Sequence, residues 1–194
     1  LEALLGLYSI PMIGPSRMRK LISIFKTPEA VLDSSARQLK DIEGIDHKTA
    51  ARIKEGPDDE FVKNQISQIK ENGVNIITYW DANYPDRLKK IYDPPAFLFY
   101  KGDTKVLTKP AIGIVGTRIP SAYGKLITER FTSELAENNF SIISGFARGI
   151  DTIAHKTTLK NKGSTIAVLG NGIDIVYPAE NKKIFNDITH TVSN

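Results

Sequence analysis

The sequence contains no cysteine. That excludes disulfides and thiolate metal sites, and it suits a reducing compartment. Histidine is scarce: His47, His155 and His190 are the three in the chain, and they form no cluster at metal-ligand spacing. No apolar run approaches the roughly 20 residues that span a bilayer. The N-terminus lacks the basic stretch and small-residue cleavage site of a signal peptide. These absences predict a cytoplasmic chain with no membrane partner, no metal and no cofactor.

Signatures of nucleotide chemistry are missing as well. There is no G-x-x-x-x-G-K-[ST] run for a phosphate-binding P-loop. Gly113 and Gly116 stand in no G-x-G-x-x-G frame, and Gly170-Asn171-Gly172 has no third glycine at the required place. Ser121, Ser144 and Asp151 could suggest hydrolysis, but no G-x-S-x-G elbow frames a nucleophile. His155 reads instead as a helix-face residue bonded inside the fold. Asp151 reads as a first-turn residue that caps or complements a helix dipole.

The composition is that of an ordinary globular protein, with 41% hydrophobic and 25% charged residues. The net charge of +4 is mild, but its placement is uneven. Residues 1–72 hold 11 basic and 11 acidic side chains, whereas residues 73–194 hold 15 and 11. The excess over the second part favours anionic partners, although a surplus this small also fits a plain solvated surface. The chain opens on Leu1 rather than Met and stops just after a helix-like stretch, so it reads as a fragment of something longer.

Residues 1–72 predict a small all-helical domain. Leu1–Tyr8 forms a short helix and Ile10–Pro15 a turn. Met18, Leu21, Ile22 and Phe25 then mark one face of a second helix. The pattern returns at an offset of 32 residues, Ile42–Ala50 matching Ile10–Met18. Both copies resemble the helix-hairpin-helix, whose turn places an apolar residue between two glycines so that backbone amides can approach a phosphate. Each copy keeps one glycine: Met12 stands for the first in copy one, Asp46 for the second in copy two. Asp46 would put negative charge where a phosphate should lie. The expectation is a bundle that keeps the packing shape, has lost most of its grip on DNA and serves for docking, with Arg17, Arg19 and Lys20 left for weak backbone contact. A turn cluster at Gly56–Glu60 and a helix running to Gly73 place the domain boundary within 56–74.

Residues 73–194 predict an α/β domain with a parallel sheet and helices on both faces. Val74–Tyr79 and Ala96–Tyr100 are strand-like, and a short helix packs by Leu88 and Ile91 between them. Trp80, Tyr84 and Tyr92 could stack on bases or cover the flank of a sheet. A strand–glycine–helix unit then repeats. Ala111–Val115 ends at Gly116, with a helix over 121–138. Phe140–Ile143 ends at Ser144-Gly145, with a helix over 150–161. Thr165–Leu169 ends at Gly170, with a helix from about Ala179. Short apolar strands alternating with helices argue for a parallel sheet. Right-handed crossovers bring the three glycine loops to one edge, at the carboxyl ends of the strands. Loops that end a strand and open a helix aim backbone amides at an anion. This edge also carries Arg118 and Arg148, and Lys182 and Lys183 open a helix close to the third loop. Each arginine could instead pair with an acidic neighbour such as Asp151 or Asp174.

Taken together, I-V-G-T-R at 114–118, Tyr123-Gly124, S-G-F-A-R-G-I-D at 144–151, Ala154-His155, T-I-A-V-L-G-N-G-I-D at 165–174 and Y-P-A-E-N-K at 177–182 resemble the DprA/Smf family of bacterial DNA-processing proteins. Tyr84-Pro85, D-P-P at 93–95 and Lys101-Gly102-Asp103 resemble the family's lead-in. The degenerate hairpin pair is similar to its variable, SAM-like N-terminal module. The resemblance implies an extended Rossmann-like fold that binds and protects single-stranded DNA and loads the RecA recombinase onto it during natural transformation. It also implies a homodimer through the Rossmann-like domain.

Carried over to this sequence, the resemblance makes Arg118 the strongest phosphate contact, beside Gly116 and Thr117. It assigns Ser144, Gly145, Ala147, Arg148 and Gly149 to a second loop of the site, and Gly170 and Gly172 to a third. Some members carry a lysine straight after Tyr-Pro. Here that position is Ala179, so the expectation moves to Lys182. The rest of the family's Rossmann-like domain, with its arginine-rich F-P-x-R-N-R segment, is absent from residues 1–194. The alternative is an enzyme of the related nucleotide-processing class, which cleaves the N-glycosidic bond of nucleoside monophosphates. Its P-G-G-x-G-T-x-x-E signature with a catalytic glutamate is also absent from residues 1–194.

Overall fold

A computed structural model of the chain describes residues 1–190, and the His190 side chain lies outside the described residues. The chain divides into two compact units, Leu1–Phe99 and Tyr100–Asn194.

The first unit opens with six helices: α1 (Glu2–Ser9), α2 (Pro15–Phe25), α3 (Pro28–Asp33), α4 (Ala36–Lys40), α5 (His47–Glu55) and α6 (Asp59–Glu71). Local caps set their starts. Thr27 accepts from the Ala30 amide at 3.1 Å, and Ser35 forms a capping box with Gln38. Asp58 accepts from the Phe61 amide at 2.9 Å. The apolar periods of α1, α2 and α5 meet in one core around Leu7, Met18, Leu21, Val31, Leu39 and Ile53. Strands β1 (Asn75–Thr78) and β2 (Phe97–Tyr100) form a two-stranded sheet, with the one-turn helix α7 (Asp86–Lys89) between them. Ala96 lies in the helical core, Ile76 and Phe97 pack against it, and Tyr8 meets Phe97 edge-on at 5.2 Å. The helices and the strands that follow them therefore share one core. Tyr84 is buried and donates to the Pro95 carbonyl at 2.8 Å, whereas Tyr92 is fully exposed.

The second unit begins with a 3-10 turn at Thr104–Thr108. Strand β3 (Ala111–Gly113), helix α8 (Ala122–Glu137), β4 (Ser141–Ser144), α9 (Ile150–Lys160) and β5 (Thr165–Ala167) follow. A second 3-10 turn at Ala179–Asn181 leads into α10 (Lys182–His190). The three strands are parallel in the order β3-β4-β5, with Ala111 opposite Ser141 and Ile142 opposite Thr165. Sequential order with crossovers of one hand places α8 and α9 on the same face, and these helices pack against each other and against β4. Small residues allow the close fit: Thr128, Thr132 and Ala136 are buried on α8, and a Cβ on Gly163 would come within 2.9 Å of Ala136 and of Thr158. Helix α10 packs on α9 and β5. The fold is thus a parallel three-stranded sheet flanked by helices, preceded by a helix-hairpin-helix bundle.

Candidate nucleic-acid interface

Each strand hands over to a loop at its carboxyl end. The Ile114 amide makes the last ladder bond of the first, to Ile143 O at 2.9 Å. Beyond it, Val115 to Ile119 are all exposed, with Val115 and Ile119 presenting apolar side chains to solvent. Thr117 shapes this loop, its hydroxyl accepting from the Ile119 amide at 3.2 Å. Arg118 is exposed and makes no hydrogen bond or ion pair with any described residue. No described residue accepts from the amides of Gly116, Thr117 or Arg118. Ser121 then starts α8 by accepting from the Gly124 amide at 3.1 Å.

The first and second loops meet through backbone. Gly149 has φ +80°, a conformation that favours glycine. A Cβ there would strike the Thr117 carbonyl oxygen. That same oxygen accepts the first amide of α9, Ile150 N, at 3.2 Å. Gly116 is equally close, since a Cβ on it would lie 2.6 Å from Ile150. The second loop is largely satisfied from within. Ser144 is buried and donates its hydroxyl to Ile114 O at 2.7 Å. Asp151, also buried, accepts from the Ala147 amide at 3.2 Å. The Ser144 side chain and the Ala147 and Ile150 amides are therefore spent inside the fold. Gly145 and Arg148 stay exposed.

Arg148 pairs with Glu180 rather than with Asp151 or Asp174. Its Nε lies 2.5 Å from Glu180 Oε1 and its Nη2 3.4 Å from Oε2. Nη1 reaches the Tyr177 hydroxyl at 3.5 Å, and the guanidinium stands 5.6 Å from the centre of the Tyr177 ring. The hydrogen bond from Arg148 and its charge hold the Glu180 carboxyl below its ordinary range, and the carboxylate raises the guanidinium in turn. A second tie is buried. Asn181 donates through Nδ2 to Phe146 O at 3.2 Å and to Thr152 Oγ1 at 2.8 Å, and Thr152 donates to Ala147 O at 2.7 Å. Lys182 follows directly, exposed at the start of α10. Glu180, Tyr177 and Asn181 are the residues that sequence reasoning missed. They lie inside the quoted Y-P-A-E-N-K run, but nothing local to it says that they face a loop some thirty residues earlier.

In the third loop, Gly170 and Gly172 are exposed. Val168 N extends the ladder to Ser144 O at 2.9 Å, and Asn171 holds the turn by donating to Gly172 O and Ile175 O at 2.9 and 2.6 Å. The sheet thus brings together the exposed parts of the first two loops, and Lys182 through its neighbours.

His155 is fully buried. Its Nδ1 lies 2.7 Å from Thr165 Oγ1, which donates to Ile142 O at 2.9 Å. With that proton committed, Nδ1 is the donor to Thr165, and Nε2 is left with no partner. Burial lowers the pKa of this imidazole to about 4, against a smaller opposing pull from Asp151. The ring and the Thr165 hydroxyl beside it are thus held inside the fold, between α9 and the sheet. Among the described residues no group of three or more His, Asp or Glu side chains could hold a metal ion.

The two hairpins of the helical unit differ at one decisive atom pair. Met12 and Gly44 occupy matching positions with φ of +74° and +86°. Gly14 and Asp46, the next matching pair, share one extended conformation, φ −82° and −81°, which any residue adopts. Asp46 fits there and caps α5, its carboxylate taking the Thr49 amide at 2.7 Å. The carboxylate therefore sits at the amide end of α5. The three cations of α2 are engaged too. Arg17 donates to Met12 O and Gly44 O, Arg19 to Asp93 and Pro94 O, and Lys20 to Glu43.

A family model described as DNA recombination-mediator protein A matches residues 75–193. The chain belongs to this family. The matched stretch holds all three glycine loops. A second model, a SAM-like helix-hairpin-helix tandem, matches residues 4–56 and so takes in both hairpins. DNA processing protein DprA of Bacillus subtilis is 43% identical over 135 residues, 63% of this chain and 46% of that protein. Protein Smf of Synechocystis is 32% identical over 180 residues, 91% of this chain and 45% of that protein. The chain therefore spans about half the length of these curated relatives. The X-ray structure of DprA from Streptococcus pneumoniae superposes with a TM-score of 0.75 at 31% identity, covering 94% of this chain and 62% of that one. A structure of DprA from Helicobacter pylori, described by its unique single-stranded DNA binding mode, superposes with a TM-score of 0.53 at 35% identity, covering 60% and 51%.

Proposed function

We propose that this protein binds single-stranded DNA along the loop edge of its parallel sheet, protects incoming strands and loads the RecA recombinase onto them during natural transformation, in the cytoplasm and as a homodimer through the Rossmann-like unit. One observation carries the DNA reading: Arg118 stands exposed, and neither its side chain nor the neighbouring loop amides have a partner among the described residues. A guanidinium beside free backbone donors suits a phosphate, whatever base is attached to it. Val115 and Ile119, exposed on the same loop, offer apolar surface to bases. The Helicobacter pylori relative, whose structure is described by its single-stranded DNA binding, supports the same choice of ligand. The reading is of a binding protein, since His155 and Asp151 are both buried and spent on structural contacts.

The test is titration of the full-length protein with fluorescent oligo-dT over a range of salt. The expected result is sequence-tolerant binding whose affinity falls steadily as salt rises. No binding at low salt, together with release of free base from nucleoside monophosphates, would move the protein to the nucleotide-processing class.

A further inference from the structure

We infer that Arg148 and Glu180 are a positioning pair, a clasp that holds Lys182 and the segment before it against the second loop, and that Arg148 is not itself a phosphate contact. The inference rests on reading the loop edge as a DNA interface and deepens that reading.

The two arginines of the edge are in opposite states. Arg118 has no partner among the described residues. Arg148 has three of its five donors engaged: Nε and Nη2 face the Glu180 carboxylate, Nη1 faces the Tyr177 hydroxyl, and its guanidinium lies near the Tyr177 ring. To reach a phosphate it would have to leave a two-point carboxylate contact, and Glu180 would remain beside the anion as a like charge. The contacts run between Arg148 in the second loop and Tyr177 and Glu180 just before α10. Buried Asn181 ties the same two segments from below, through Phe146 O and Thr152. The exposed pair and the buried amide are two anchors 32 and 35 residues apart in sequence. Together they fix the backbone from which Lys182 projects. The clasp thus sets where exposed Lys182 presents its charge, alongside that of Arg118.

The test uses the full-length protein with Arg148→Ala, Glu180→Ala, the double variant and the charge swap Arg148→Glu/Glu180→Arg. Oligo-dT affinity is read by anisotropy, and amide exchange over residues 177–182 by mass spectrometry. A clasp predicts that each single variant weakens binding by about fivefold, that the double variant is no worse than either single, and that the swap recovers much of the loss. Melting temperature should stay near that of the parent, because the pair is half exposed, so a merely structural role would not reproduce the cycle. Tighter binding by Glu180→Ala would overturn the inference, since it would show Glu180 competing with DNA for a phosphate-binding Arg148. If the parent protein fails to bind oligo-dT, the DNA reading fails and the clasp stands or falls on exchange alone. Faster exchange over 177–182 in both single variants supports it, and unchanged exchange refutes it.

Discussion

Gly149 lies so close under the Thr117 carbonyl that a side chain at this position would collide with the oxygen and with the Arg118 backbone, 2.7 Å from its Cα. The contact joins the first loop to the start of α9, because the same carbonyl accepts the Ile150 amide. Gly149→Ala meets both the clash and a φ of +80°. It should cost about 3 kcal/mol in urea unfolding and displace Arg118, lowering DNA affinity as well. Gly170→Ala is the control: nothing lies within 4 Å of its Cβ position, so stability should change by no more than about 0.5 kcal/mol.

Arg118→Ala should weaken oligo-dT and mixed-sequence oligonucleotides alike. The slope of log affinity against log salt should fall by about 0.7, the share of one phosphate on a single strand. The exposed side chain bonds no described residue, so the melting temperature should not move. An unchanged salt slope would remove Arg118 from the phosphate track.

His155 predicts an acid-sensitive fold. Burial lowers its pKa from the ordinary 6.5 to about 4. Between those values the unfolded chain takes up the proton and the folded chain does not, so this contribution is complete above pH 6.5 and is lost as pH falls toward 4. The total is about 3 kcal/mol at one proton per molecule. Unfolding free energy measured from pH 7 to pH 4 should show this loss. In His155→Gln, whatever its stability at pH 7, the slope should flatten.

Asp46→Gly should lower the melting temperature of the helical unit by removing the cap on α5. The hydrogen bond from the Thr49 amide lowers the Asp46 pKa from its ordinary 3.8. The cap therefore contributes fully above that value and is lost as pH falls through the lower, folded one. Parent and variant should differ at pH 7 and converge in strong acid. A constant difference in melting temperature would mean that the charge of Asp46 contributes nothing.

Much of the second unit was legible because its signals are local. Apolar runs of three to five residues ending in glycine, followed by Ser121 or by the Gly149-Ile150 step, mark where each strand stops and each helix starts. Helix α3 was not read although Thr27-Pro28-Glu29 is a clear start, because six residues carry too little period to stand out. Arg118 and Arg148 are alike in sequence, each the lone arginine of a glycine loop. In the fold Arg148 is paired with Glu180, whereas Arg118 has no partner among the described residues.

Periodicity and capping are written within a few residues, so the strand–glycine–helix repeat, the hairpin tandem and the structural reading of His155 and Asp151 follow from local sequence. Which polar groups remain available depends instead on contacts across the fold. Ser144 is spent on Ile114, Arg148 on Glu180 and the Ile150 amide on Thr117. Each partner lies about thirty residues away, and a pairing of that kind exists only once the parallel sheet has set the loops side by side.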